Sequence, residues 1–147
     1  MTTYKLIQLT NTSIGDVAAN AFMPLGNVTR RINAPINCCN TFTVTNSAND
    51  TVIANDAGFY KITYSLTASA AAAGEVSVAL VTNGTTVTTV SQTIVDETTP
   101  VNLTLIYVIR VCPNCEAMPA NVPVSIQIEN TGSALTGTSG NLIIEKI

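Results

Sequence analysis

The sequence predicts a single all-β domain built as an antiparallel β-sandwich. Short stretches in which apolar and polar residues alternate recur along the chain, and Thr, Val and Ile, which favour strands, are abundant. Gly- and Asn-containing turns separate these stretches at intervals of about 8 to 12 residues. Helix signals are nearly absent: the Ala-rich stretch 68–73 is short and Gly74 follows it, so we expect a turn there.

The predicted strands follow one another from end to end of the 147-residue chain, a length typical of one domain. Asn83-Gly84 lies between two of them and predicts a two-residue hairpin turn, because both residues tolerate positive φ. We therefore expect one domain over 1–147, with 38–147 as the core sandwich and 1–37 as an irregular N-terminal arm or the first strand or strands. The predicted strands are 4–9, 58–66, 76–81, 85–95, 101–111, 122–128 and 142–147.

The stretch from Val101 to Val111 is the most informative strand. Its odd positions are all apolar or aromatic, and its even positions change from the polar Asn102 and Thr104 to aliphatic residues. A strand that is apolar on both faces is buried on both faces, whereas a sandwich covers only one. We therefore predict that the second face meets another subunit, with four contact candidates: Leu105, Ile106, Tyr107 and Val108.

Charge is scarce and slightly acidic. The chain has 6 basic and 9 acidic residues, a formal net charge of −3, and charged residues make up 10% of it, against about 25% in a typical domain. Six basic residues without a basic stripe do not predict nucleic-acid binding. No apolar run approaches the ~18 residues of a membrane span, and the first residues lack the pattern of a signal peptide. We expect no nucleic-acid partner, no membrane insertion and no export by that route.

The residue types that most catalytic sites need are missing. The chain has no His, which removes Ser-His-Asp and Cys-His nucleophiles as well as His-based metal sites. Most acids fall at predicted turns or strand ends, and the adjacent pair Asp96-Glu97 would point to opposite faces of a strand. We therefore predict a protein that is not an enzyme, with no catalytic residues and no cofactor.

The cysteines leave three alternatives open. Cys112 and Cys115 have the spacing of half a zinc knuckle, but the adjacent Cys38 and Cys39 are a poor second half, because neighbouring residues do not readily turn both sulfurs toward one ion. Structural disulfides or free thiols fit the pattern better than a metal. A disulfide between the two groups would close a loop of roughly 70 residues and stabilise the fold by about 4 kcal/mol.

One segment resembles a known family. Gly58-Phe59-Tyr60-Lys61-Ile62-Thr63-Tyr64 is similar to the Gly-x-Tyr-x-aromatic-x-aromatic signature of C1q/TNF-like jelly rolls, with the aliphatic Ile62 at one aromatic position. The motif residues are Gly58, Tyr60, Ile62 and Tyr64. The later strands, ending in Gly140-Asn141-Leu142-Ile143-Ile144, resemble the bacterial branch, which includes the C-terminal domains of BclA-like exosporium proteins and domains of phage head fibres and decoration proteins.

The resemblance implies a jelly roll of eight to ten strands that forms a compact homotrimer used in display, adhesion or capsid decoration. The chain has neither the collagen-like stalk nor the signal peptide of many secreted members, which favours a virion protein. We expect a trimeric capsid-decoration or head-fibre protein at the virion surface. Its partner would be a capsid or fibre-base protein, and Arg30-Arg31 could help it dock.

Two alternatives to the virion role stay open. The first is a spore- or cell-surface display or adhesion protein of the same fold. The second is a module whose loops bind a glycan or a receptor.

Overall fold

The chain folds into two antiparallel sheets packed face to face. The structure, a computed structural model, describes residues 5–32, 41–45, 49–70, 73–94, 99–111 and 123–147, and these ranges contain no helix. The predicted all-β antiparallel sandwich is confirmed.

Eleven strands make up the described part of the two sheets. The strands are β1 (Lys5–Asn11), β2 (Gly15–Val17), β3 (Asn27–Ile32), β4 (Phe42–Val44), β5 (Val52–Ala54), β6 (Gly58–Ala70), β7 (Gly74–Thr82), β8 (Thr85–Ile94), β9 (Val101–Val111), β10 (Val124–Asn130) and β11 (Leu135–Lys146). In the first sheet the order is β3-β1-β11-β6-β9, with β2 paired to the start of β11; in the second it is β4-β5-β10-β7-β8.

All seven predicted strands are present; β9 has the predicted bounds, and the others differ at one or both ends. The hairpin at Asn83-Gly84 is confirmed, with φ of 48° and 80° at the two turn residues. The expectation of a turn across the Ala-rich stretch is wrong for 68–70, where β6 continues to Ala70. Ala68 and Ala70 are buried, because their small side chains fit between the sheets where a larger one would not.

The core lies between the inner faces of the two sheets. Tyr60, Ile62, Tyr64 and Leu66 alternate inward along β6 and are almost fully buried. Phe42 of the opposite sheet meets Tyr60 edge-on, with ring centroids 5.8 Å apart and an interplanar angle of 75°. Such an aromatic pair contributes about 1 kcal/mol beyond the area that it buries.

Residues 14–25 cross from the first sheet to the second and cover one end of the core. Ile14, Val17, Met23 and Leu25 are buried in this segment and belong to the main core cluster. Part of the stretch expected to be an irregular arm or the first strand or strands therefore supplies core residues.

Asn130 at the end of β10 ties the crossing segment to the second sheet. The residue is fully buried, and its Nδ2 lies 3.3, 3.2 and 3.0 Å from the carbonyl oxygens of Val17, Ala18 and Ser133. Its Oδ1 accepts the backbone N–H of Gly132 at 3.1 Å. A buried amide with partners for both its donor and its acceptor fixes the path of the chain around it.

Replacing Asn130 with Ala should lower the free energy of unfolding by about 2–4 kcal/mol, because several buried backbone groups lose their partner at once. Urea denaturation measures the change. Asn102→Ala is the matched control: this Asn is exposed and accepts one hydrogen bond, from Thr67 at 2.7 Å, so its loss should cost less than about 1 kcal/mol. Equal losses in the two variants would contradict the role given to Asn130.

Candidate functional site

The outer face of the first sheet, which points away from the core, is the strongest candidate for a functional surface. On β9 the side chains of Ile106 and Val108 are 59% and 47% exposed. These two predicted contact residues therefore lie uncovered on the outer face.

The other two predicted contact residues are placed differently. Leu105 is only 3% exposed and belongs to the core cluster of its own chain, so its assignment to a subunit contact is not supported by its position. Tyr107 points to the inner side but is 38% exposed, because it lies at the rim of the sandwich beside Val87 and Val124 of the second sheet.

The register of the strands gathers further apolar residues around Ile106 and Val108. Thr63 of β6 lies opposite Ile106, and Ile143 of β11 lies opposite Thr63. In the neighbouring row Val108 lies opposite Lys61, and Glu145 of β11 lies opposite Lys61, so charged residues end the apolar group on that side. We call the group of Phe59, Ile106, Val108 and the partly buried Ile143 the apolar patch.

Next to the apolar patch the outer face carries a group of uncharged polar side chains. Asn141 Oδ1 accepts hydrogen bonds from Gln8 Nε2 at 2.9 Å and from Thr10 Oγ1 at 3.0 Å, and Thr67 donates to Asn102. A shallow groove of about 210 Å³ runs among these hydroxyl and amide groups. Because these polar groups already bond one another, they need no ligand to satisfy them.

Among the described strands, β8 and β9 are the edge strands on one side of the sandwich. Each is the last strand of its sheet, and the two lie next to each other. Edge strands are usually protected from association by charged residues or Pro. Strand β8 has neither, and β9 has a single charged residue, Arg110. This side can therefore pack against another protein surface.

The four residues of the sequence motif have a structural role. Tyr60, Ile62 and Tyr64 lie in the core, and burial raises the pKa of both tyrosines far above the ordinary value. Gly58 begins β6 with φ of 149°, and a Cβ there would lie 2.6 Å from Cε of Lys146. The motif thus marks the centre of the fold and not a binding site.

The two core tyrosines differ in one respect that can be tested. The hydroxyl of Tyr60 donates to the carbonyl oxygen of Asp56 at 2.7 Å, whereas the buried hydroxyl of Tyr64 has no hydrogen-bond partner among the described residues. Tyr64→Phe should therefore leave the free energy of unfolding unchanged or raise it by up to about 1 kcal/mol. Tyr60→Phe, the matched control, should lower it by about 1 kcal/mol. Thermal and urea denaturation of both variants decide this, and a clear loss in Tyr64→Phe would contradict it.

Asp56 carries the ion pair that joins the start of β1 to the loop after β5. Its Oδ2 lies 2.6 Å from Nζ of Lys5 and accepts a hydrogen bond from Thr41 at 2.9 Å. Partial burial alone would raise the pKa of Asp56, but the hydrogen bonds from Lys5 and Thr41, with the charges of Lys5 and Lys146, outweigh it and lower the pKa. The carboxylate therefore holds the first strand in place while it is ionised.

Because the pKa of Asp56 is lower in the folded chain, its contribution to stability is present above the unfolded pKa, about 4, and is lost as the pH falls through the folded value. Asp56→Asn should lower the free energy of unfolding by about 1 kcal/mol at pH 7, and the difference from wild type should shrink below about pH 4. Asp16→Asn is the control, since Asp16 is exposed and accepts a hydrogen bond from Thr136. A deficit in Asp56→Asn that does not change with pH would rule out this account.

Within the described ranges, no three Cys, Asp or Glu side chains come together as a metal site would require. The candidates Cys38, Cys39, Cys112 and Cys115 all lie outside the described residues, so their pairing stays a prediction. In the same part of the chain, no helix is long and apolar enough to cross a membrane.

Comparison with known proteins identifies the fold. No protein-family model matches the chain, and no curated protein matches it. Among solved structures, the TNF protein Eiger from S. frugiperda is similar over 99% of this chain and 94% of its own, with a TM-score of 0.72 and 11% identity. The globular domain of zebrafish complement 1qA matches over 97% and 96%, with a TM-score of 0.63 and 6% identity. The PRD1 vertex protein P5 matches over 100% and 99%, with a TM-score of 0.61 and 16% identity.

These likenesses show a C1q/TNF-like jelly-roll fold, as the sequence resemblance implied. They span nearly the whole chain, but at such low identities they define the fold alone. The closer assignment to the bacterial or phage branch stays a prediction.

Proposed function

We propose that this protein is a non-enzymatic structural protein that forms a homotrimer on the surface of a virus particle, as a capsid-decoration or head-fibre protein. The observation that carries the proposal is the apolar patch, where Ile106 and Val108 stand half exposed or more on a face that the chain's own fold leaves uncovered. Aliphatic side chains exposed together in this way are typical of surfaces that another protein covers.

Two different surfaces of one protomer can supply the contact. The outer face offers the apolar patch, and the β8–β9 side offers two long edges with a single charge between them. When one surface of a protomer meets a different surface of the next, a ring forms if the rotation closes. Three copies are the number that the C1q/TNF-like resemblance implies.

The virion role has separate support. One of the similar structures is the PRD1 vertex protein P5, and the match spans 99% of that protein's chain. The low charge content and the absence of His fit a protein that assembles and does not catalyse. In this proposal the partners are other copies of the chain and a capsid or fibre-base protein.

The trimer can be tested by mass. Sedimentation or light scattering at micromolar concentration should give three times the chain mass of 15.3 kDa. Ile106→Asp should shift the protein to monomers, because a carboxylate in an apolar contact is costly to bury, while the folded chain tolerates it at a site that is 59% exposed.

The control is Thr43→Asp, an exposed residue on β4 of the other sheet, where the introduced carboxylate can still accept a hydrogen bond from Asn55. This variant should remain trimeric. A monomeric wild type would refute the trimer, and a trimeric Ile106→Asp would refute the location of the contact.

The main rival, a spore- or cell-surface protein of the same fold, predicts the same mass and differs in location. Immunogold labelling with an antibody against the purified protein should decorate virus particles. Labelling of spores or cell envelopes in place of particles would favour the rival.

A further inference from the structure

The basic residues of the chain are gathered at one end of the first sheet. Lys5 lies opposite Lys146, and Arg110 lies opposite Phe59, which its guanidinium covers at 5.8 Å from the ring centroid. With a rise of about 3.4 Å per residue, all six Lys and Arg fall within about 14 Å along the strands. We call this region the basic end: Lys5, Arg30, Arg31, Lys61, Arg110 and Lys146.

Acidic residues only partly compensate the basic end. Asp56 pairs with Lys5, and Glu145 lies opposite Lys61 on the neighbouring strand. Among the described residues, these six bases and two acids leave a formal side-chain charge of +4. Arg30 lies on β3, all of whose residues are exposed.

The rest of the described chain has the opposite charge. Asp16 accepts a hydrogen bond from Thr136, near the far end of β11, and Glu75 lies at the far end of β7. Asp50 and Glu129 complete a group of four acids, with no Lys or Arg of the chain beside them because all six are at the basic end. With a formal charge of +4 at the basic end and four acids at the other, the described part of the chain is strongly polarised.

The two ends act as separate charges in solution. Thr136 and Lys146 lie on the same strand, so the ends are about 33 Å apart at about 3.3 Å per residue. At physiological salt the Debye length is about 8 Å, and a partner near one end is screened from the other. A protein approaching the basic end meets a positive surface despite the acidic composition.

We propose that the basic end is the docking end of the protein and that it binds a carboxylate-rich surface of a partner protein. This inference rests on the proposed function, because it specifies the chemistry of the partner on the particle. It assigns to one region of the structure the attachment that a decoration or fibre protein needs.

The arrangement of the bases favours a protein partner over a phosphate-rich one. The bases are spread from β3 to β9, which is about 19 Å across five strands, and do not converge on one point. Arg30, Lys61 and Arg110 lie on the outer face, whereas Lys5 and Arg31 reach toward the second sheet. Ile32, which is 37% exposed, follows Arg31 on β3. A protein surface with carboxylates around apolar groups matches this mixture, since complementary charges steer association and apolar contacts give affinity.

The test measures binding of the full chain to three fluorescein-labelled probes by anisotropy. They are a poly-glutamate peptide, the same peptide with Leu at regular intervals, and a duplex DNA oligonucleotide. We expect the Leu-containing acidic peptide to bind most tightly, with at least a tenfold loss between about 50 and about 200 mM NaCl.

Matched variants locate the binding. Arg30→Gln/Arg110→Gln should weaken binding of the acidic peptides about tenfold, whereas Glu75→Gln/Glu129→Gln, which removes two charges at the other end, should change it less than twofold. If the double Arg variant fails to fold, Arg30→Gln alone carries the comparison, because Arg30 is on the fully exposed strand.

Several results would overturn the proposal: tighter binding of DNA than of either peptide, no peptide binding at low salt, or equal binding by the Arg variant. Salt-sensitive assemblies larger than the trimer would also overturn it, since the acidic end of another copy would then be the occupant. The mass of the unliganded protein is recorded in parallel, so that loss of the trimer is distinguished from loss of docking.

Discussion

The pairing register of β1, β11, β6 and β9 is the constraint on which the other features of this protein depend. In one row Ile7, Ile144 and Ile62 lie opposite one another and point into the core. Burying each such side chain stabilises the fold by roughly 1.5–3 kcal/mol. A slip of one residue would turn every side chain of a strand to the opposite face, so the core enforces this register strongly. The same register sends Ile106 and Val108 outward and aligns the strand ends that carry the bases.

Much of the fold could be predicted from the sequence, because the alternation of apolar and polar residues is clear where strands are long. The stretches that became β6, β9 and β10 alternate over seven residues or more. The short strands β2 and β5 were not predicted, since three residues are too few for a period of two to stand out. The path of the crossing segment 14–25 was not predicted either, because hydrogen bonds from the distant Asn130 fix that path and no local sequence pattern does.

The candidate surface was predicted only in part. Ile106 and Val108 share the outer face with Asn102 and Thr104, so their exposure follows from the alternation of one strand. Leu105 has an odd number and so belongs to the opposite face of β9, and its place in the core could have been inferred from that same alternation. The basic end could not be found this way, because its members are scattered from Lys5 to Lys146 and only the sheet brings them together.

The pairing of β1 with β11 has a consequence for biosynthesis. The first described strand forms its central ladder with the last, over a register that runs from Lys5↔Lys146 to Asn11↔Gly140. The first sheet therefore cannot be completed until residues 135–146 have left the ribosome, and folding dominated by such distant pairings is slow. Until then the edge of β1 that pairs with β11 has no partner, and a chain that terminates before these residues cannot cover it. The synthesis of residues 135–146 thus separates chains that can complete the sheet from truncated ones that stay open to proteases.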